Sequence, residues 1–230
     1  MGNWMGRCSA DADHDSARDT TNSILCYGDS LTAGYVMRSP YTQEYHGWAA
    51  VLAKELGVPC EAIGASGWTT KKMVKLSASS GEDACGIRRL GLQSALRQKR
   101  YSTVIIMGGT NDLGTSSADE IMANLETLHA TAISAGCATV ALTIPQGRQL
   151  GPWTAGTPVA FANETRVRVN ELLKAFVSKQ LAGRCLFVAM DEEVPWARES
   201  ADWEPDGLHM SELGYGRFGA ALAVKLRGFV

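Results

Sequence analysis

Several protein classes are excluded by what this chain lacks. Lys and Arg number 22 against 24 Asp and Glu, so no basic excess exists with which to grip nucleic acid or an anionic membrane. No apolar run approaches the ~20 residues needed to cross a bilayer. The stretch from Met1 to Asp19 is polar and acidic with no apolar centre, unlike a secretory signal peptide. Met1-Gly2 opens like a myristoylation site, but Gly6 stands where Ser or Thr is wanted. The six cysteines are Cys8, Cys26, Cys60, Cys85, Cys137 and Cys185. They form no Cys-x-x-Cys pair, and no histidine lies at metal-ligand spacing from them. Cys26, Cys60, Cys137 and Cys185 fall in or beside apolar runs and read as small buried hydrophobes with free thiols. That favours a reducing compartment, intracellular and cytoplasmic. No internal repeat and no second composition regime is present. The 230 residues therefore divide into a flexible tail over 1–22 and one domain over 23–230.

What is present is organised around Ile24-Leu25-Cys26-Tyr27-Gly28-Asp29-Ser30-Leu31-Thr32-Ala33-Gly34. Ile24 to Tyr27 is apolar without alternation, the mark of a strand buried on both faces. Gly28 permits a tight turn, and Asp29-Ser30 sits where the strand hands over to a helix. A serine on a rigid strand end, beside free helix-start amides, is suited to nucleophilic chemistry. Taken alone, Gly-Asp-Ser reads equally well as a plain turn.

The rest of the chain alternates. A helix over Gly47 to Leu56 is closed by Gly57. A strand follows over Val58 to Ile63, then a small-residue loop, then a helix capped by Thr69 or Thr70 and running through Leu76. Residues 77–86 read as a loop, and Ile87 to Arg100 as a basic amphipathic helix with a solvated face. Thr103 to Met107 is the third strand. Ser117 and Glu120 make a capping box for a helix whose buried stripe is Ile121, Leu125, Leu128 and Ala132. His129 on that helix reads as structural. Thr139 to Ile144 is the fourth strand, followed by a long loop over Pro145 to Pro158 suited to a lid or binding loop. Val169 to Val177 marks a helix, Cys185 to Ala189 the fifth strand, and Ser211 caps a last helix through Leu226. Strand–helix alternation predicts an α/β fold, a parallel sheet with helices on both faces.

Ligands of such sheets sit at the carboxyl ends of the strands. Ser30, Gly67 and Asn111 follow the first three strands, and Asp206 to His209 lies beyond the fifth. His209 is the best base for the Ser30 hydroxyl, and Asp206 three residues earlier is placed to orient its ring. The Ser30 and Gly67 amides and the Asn111 side chain are the natural donors to an oxyanion. Each segment has a plainer reading too: Asp206-Gly207 as a turn, His209 as a helix cap, Asn111-Asp112 as a cap. Asp29 and Asp112 read as braces for their turns. Trp68 and Trp153 are candidates to line an acyl pocket, or else cover core edges.

Four blocks together resemble the SGNH, or GDSL, hydrolase family. They are Gly28-Asp29-Ser30-Leu31, Gly67 within Ala65-Ser66-Gly67-Trp68-Thr69, Gly109-Thr110-Asn111-Asp112, and Asp206-Gly207-Leu208-His209. They occur in family order and span roughly residues 23 to 228. The resemblance implies a flavodoxin-like three-layer α/β/α sandwich with a central five-stranded parallel sheet. It implies a Ser30–His209–Asp206 triad and an oxyanion hole from Ser30, Gly67 and Asn111, with no metal and no organic cofactor. The second block departs most from the pattern: Gly64 competes with Gly67, and Trp68 stands where a small or acidic residue is expected.

The expected function is a serine esterase for small to medium acyl chains, acting on a small-molecule ester through an acyl-enzyme. The alternatives are an acyltransferase that passes the acyl group to an alcohol, and a non-catalytic binding protein on the same fold. Against the last, no triad or oxyanion position is replaced. The Gly-x-Gly-x-x-Gly of dinucleotide binders and the Gly-x-Ser-x-Gly elbow of α/β-hydrolases are both missing. Oligomeric state leaves no trace. Substrate choice is expected to lie in loops 35–46, 77–86 and 145–160.

Overall fold

A computed structural model describes residues 22–39, 42–147, 158–180, 183–197 and 199–230, with the backbone alone for 37–39, 42–43 and 158–161. The expected tail, apart from Asn22, and Trp153 with most of the 145–158 loop lie outside the described residues. In chain order the elements are β1 (Ile24–Gly28), α1 (Ser30–Ala33), β2 (Tyr35–Ser39), β3 (Thr42–Tyr45), α2 (Trp48–Leu56), β4 (Cys60–Gly64), α3 (Thr70–Lys75), β5 (Ser80–Glu82), β6 (Arg88–Leu90), α4 (Leu92–Gln98), β7 (Thr103–Met107), α5 (Ala118–Ser134), β8 (Ala138–Leu142), α6 (Pro158–Ser178), β9 (Cys185–Val188), α7 (Met190–Glu193) and α8 (Glu212–Leu226).

The main sheet has the order β4-β1-β7-β8-β9, all parallel. Counted along the chain, its strands run 2-1-3-4-5, the flavodoxin-like order. β1 lies between β4 and β7, with Ile24 opposite both Cys60 and Thr103. Every residue of β1 and of β7 is buried. The two-residue period of a strand then splits these apolar runs between two cores. Ile24, Cys26, Ile105 and Met107 face one, with Trp48, Phe218 and Leu222 of α2 and α8. Leu25, Tyr27, Val104 and Ile106 face the other, with Met73, Leu92, Leu125 and Val169 from α3 to α6. That division makes three layers. The Ser117–Glu120 capping box is present at the start of α5, and Ile121, Leu125, Leu128 and Ala132 are buried as the periodicity predicts. His129 is buried too, tilted against Phe176 at 5.5 Å. Burial of Trp48, at 1% exposure, stabilises the α2 layer by roughly 2–3 kcal/mol.

Two expectations are corrected. Residues 77–86 are not only loop, and no helix starts at Ile87. β5 and β6 form an antiparallel hairpin with Ser80 opposite Leu90, and α4 is confined to Leu92–Gln98. The cause is Asp83. Its carboxylate accepts the Cys85 and Ile87 amides, each at 2.9 Å, and the Arg89 Nε at 2.9 Å. Those bonds fold the tip of the turn and divert its polar groups from a helix. β2 and β3 pair antiparallel as a second two-stranded ribbon, in which Tyr35 stands opposite Tyr45. The region after β9 opens with the single-turn α7.

Candidate active site

The switch in strand order falls between β1 and β7, and the crevice outside their carboxyl ends is where such sheets bind ligands. Ser30 begins α1 directly after β1. Asp29 caps that helix, its Oδ1 accepting the Leu31 amide at 3.0 Å. The Trp48 indole donates to the Leu31 carbonyl at 3.1 Å, and the His46 amide to the Gly34 carbonyl at 2.7 Å. The Ser30 turn is thus tied at both ends, and Ser30 keeps 7% exposure.

Asp206 and His209 come from the loop before α8. Asp206 Oδ1 accepts the amides of Leu208 at 2.8 Å and His209 at 2.9 Å, which wraps the loop around the carboxylate. Its Oδ2 lies 2.7 Å from His209 Nδ1, and His209 Nε2 lies 2.9 Å from Ser30 Oγ. Burial pushes the Asp206 carboxyl up, but the His209 ring and the two amides outweigh it and hold the group below the usual carboxylate range. Asp206 is therefore an acceptor, which makes Nδ1 the donor in that pair and turns Nε2 to the Ser30 hydroxyl.

Asn111 lies in a 3-10 turn after β7 and donates through Nδ2 to the Trp68 carbonyl at 3.1 Å. A second N–H remains on that amide. Asp112 next to it holds the start of α3, accepting the Thr70 amide at 2.9 Å and hydroxyl at 2.7 Å. Asp29 and Asp112 are the braces the sequence suggests. The two candidate glycines sit differently: Gly64 ends β4, where an added Cβ would stand 2.1 Å from the Ala33 nitrogen, in the packed interior. Gly67 is exposed in the loop beyond, with φ of +72°, and its neighbour Trp68 is the residue bonded by Asn111.

Trp68 is a correction. Its ring is fully buried in the core with Met73 and Leu92, and its indole donates to the Glu82 carbonyl at 3.1 Å. An apolar ring that fills the core behind the loop presents no face to a substrate. Trp153 lies outside the described residues. Among the described residues no group of three or more His, Cys, Asp or Glu side chains could hold a metal ion, five cysteines are free thiols, and no helix is long and apolar enough to cross a membrane.

Two tyrosines escape the sequence reading. The Tyr35 ring packs on the His209 imidazole with centroids 4.8 Å apart, and the Tyr215 hydroxyl donates to the Tyr35 carbonyl at 3.1 Å. Adjacency of Tyr35 to Gly34, at the end of the Ser30 turn, is the signal that could have marked it. The Asp29 carboxyl is also unusual. It is fully buried, its Oδ2 has no partner in hydrogen-bond geometry, and burial pushes it up to about 6. The Leu31 amide and His209 pull the other way, with Thr110 contributing least.

The GDSL-like lipase/acylhydrolase family matches residues 26–217, and the chain belongs to that family. No curated protein matches it by sequence. Among solved structures it is similar to Est24, a carbohydrate acetylesterase from Sinorhizobium meliloti, at 24% identity and a TM-score of 0.66, covering 91% of this chain and 100% of the other. It is also similar to the aryl esterase of M. smegmatis, at 23% identity and a TM-score of 0.66, with the same coverage. The structure of TesA matches at 20% identity and a TM-score of 0.64, covering 90% and 99%. At these identities the likeness shows a shared fold.

Proposed function

We propose that this chain is a serine esterase that hydrolyses carboxylic esters of small to medium acyl chains through an acyl-enzyme on Ser30. The observation that carries the reading is the unbroken relay from Ser30 Oγ to His209 Nε2 at 2.9 Å and from Nδ1 to Asp206 at 2.7 Å. Ser30 Oγ attacks the ester carbonyl carbon while its proton passes to Nε2. The carbonyl π electrons move to oxygen, and the oxyanion takes hydrogen bonds from the Ser30 and Gly67 amides and the Asn111 side chain. Collapse breaks the bond to the alcohol oxygen, which leaves with the proton from Nε2. Water then repeats the attack on the acyl-enzyme, giving its proton to Nε2. The acid departs, and Ser30 regains its proton. Ionised Asp206 stabilises the imidazolium at each stage without itself taking the proton. The family's description and the esterases among the structural relatives support the same chemistry.

Hydrolysis of p-nitrophenyl esters of rising chain length tests it, wild type beside Ser30→Ala. Turnover of acetate or butyrate by wild type alone supports the reading, and the chain-length profile sizes the acyl pocket. A folded wild type that hydrolyses none of them and is not labelled at Ser30 by a fluorophosphonate would overturn it.

A further inference from the structure

The β2–β3 hairpin stands over the catalytic histidine. Its register sets Tyr35 directly opposite Tyr45, and such cross-strand pairs lie on one face of the ribbon. The two rings meet edge to face, centroids 6.0 Å apart at 72°. Tyr35 also lies 4.8 Å from the His209 ring at 53°. On the far side the Arg89 guanidinium sits 5.8 Å from the Tyr45 ring centre, held there through its Nε by Asp83. The Asp83 turn reaches back to the second block, where the Ala84 amide donates to the Ser66 carbonyl at 2.8 Å. A row of His209, Tyr35, Tyr45 and Arg89 therefore runs outward from the base, and Tyr45 is 37% exposed.

The chemistry of the proposed reaction says which half of the ester meets this row. The leaving oxygen must come within hydrogen-bond reach of His209 Nε2 to collect its proton. Whatever is bonded to that oxygen emerges on the histidine side, where Tyr35 stands. Aromatic rings favour flat partners in stacked or edge-on contact, and a guanidinium keeps further N–H donors for oxygen acceptors once Nε is engaged. We propose that Tyr35 and Tyr45, with Arg89 at the outer end, form the subsite for the alcohol half of the ester, and that this alcohol carries a ring, aryl or pyranose. The proposal rests on the esterase reading for its orientation.

Esters with one acyl group and different alcohols test it. Phenyl acetate, methyl 6-O-acetyl-glucopyranoside and ethyl acetate are compared on wild type, Tyr45→Ala and Tyr45→Phe. In Tyr45→Ala the kcat/KM for a ring ester relative to ethyl acetate is expected to fall about tenfold, mainly through KM, and Tyr45→Phe is expected to keep the ratio. A fall for phenyl acetate alone assigns an aryl alcohol, and a fall for the pyranoside alone assigns a sugar. Both ratios staying within twofold of wild type overturns the platform. Tyr45→Leu replaces the alanine variant if that one loses its melting transition. If wild type hydrolyses none of the three, fluorophosphonate labelling of Ser30 decides the esterase reading, and the platform is judged by binding alone. Saturation-transfer NMR on the Ser30→Ala protein then measures p-nitrophenol and methyl glucopyranoside, with and without Tyr45→Ala. Weakening of either by fivefold or more upholds the platform, and no difference, or no binding, overturns it.

Discussion

Two regions meet at Ser30 and His209, and they are built differently. On one side the loops leaving β1, β4 and β7 are knitted together by buried polar bonds. Asp29 holds Leu31, Asp112 holds Thr70, Asn111 holds Trp68, and the Trp48 indole holds Leu31. On the other side stand two short antiparallel hairpins, partly exposed, that bring Tyr35, Tyr45 and Arg89 to the rim. The difference fits what the proposed reaction asks of each. The proposed acyl transfer tolerates little error in its relay, and those groups sit on a sheet edge. The proposed choice among alcohols needs only a surface, and a hairpin can change without disturbing the core.

Substitutions on the sheet side should therefore remove activity towards every ester alike. Ser30→Ala and His209→Ala are each expected to lower kcat by about 10⁶-fold, and Asp206→Asn by about 10⁴-fold. All three should melt near the wild-type temperature, since none supports the core. A His209→Ala enzyme that kept most of its turnover would show that the base is elsewhere. Asn111→Ala is expected to cost about 10²–10³-fold in kcat, uniformly across phenyl, pyranosyl and ethyl esters. An effect that differed tenfold between alcohols would move Asn111 from the oxyanion to the selectivity side of the comparison.

The same division governs what could be read from sequence. β1, β7 and the α5 stripe were legible because buried strands and amphipathic helices write their period into the residues, as Ile24 to Tyr27 and Ile121 to Ala132 do. The four blocks were legible only together: each alone reads as a turn or a cap, and it is their order along the chain that matches the family found over residues 26–217. The hairpins were not. Ser80-Gly81-Glu82 and Arg88-Arg89-Leu90 carry no alternation, and their pairing depends on Asp83 gathering three donors around one carboxylate. Trp68 stays open in sequence for a similar reason. A tryptophan beside a candidate oxyanion glycine looks available to substrate, and only the packing of Met73 and Leu92 against it shows the ring turned inward.

The rigid side carries a built-in instability at Asp29. Its carboxyl is raised from 3.8 to about 6, first by burial. A folded-state value above the unfolded one means that the native protein prefers the proton. Stability from this group is then complete below about pH 4 and is lost as pH rises through 6, by up to ~3 kcal/mol. Asn at this position keeps an oxygen for the Leu31 amide and removes the charge. Urea unfolding of Asp29→Asn is expected to show a gain of about 2–3 kcal/mol at pH 8 that disappears near pH 4. A gain of equal size at both pH values would mean that the buried charge is not its source.

On the hairpin side the corresponding carboxylate does the opposite. Burial raises Asp83, but the Ile87 amide, Arg89 and the Cys85 amide more than offset it, and the group ends below its ordinary 3.8. Here stability is present above the unfolded value and is lost as pH falls through the folded one. Asp83→Ala removes the acceptor for three donors at once, a loss of about 1–3 kcal/mol confined to the turn. Its amides at Cys85 and Ile87 are expected to exchange with solvent about tenfold faster, a change set by local opening. The melting temperature should fall by about 2–4 °C for each kcal/mol lost. Arg89 would then no longer be fixed against Tyr45, so the ring-to-ethyl selectivity ratio should drop while kcat for ethyl acetate holds. A variant that instead lost turnover on all three esters would show that the Asp83 turn braces Ser66 and Gly67. The two regions would then be one mechanical unit rather than a scaffold and its replaceable rim.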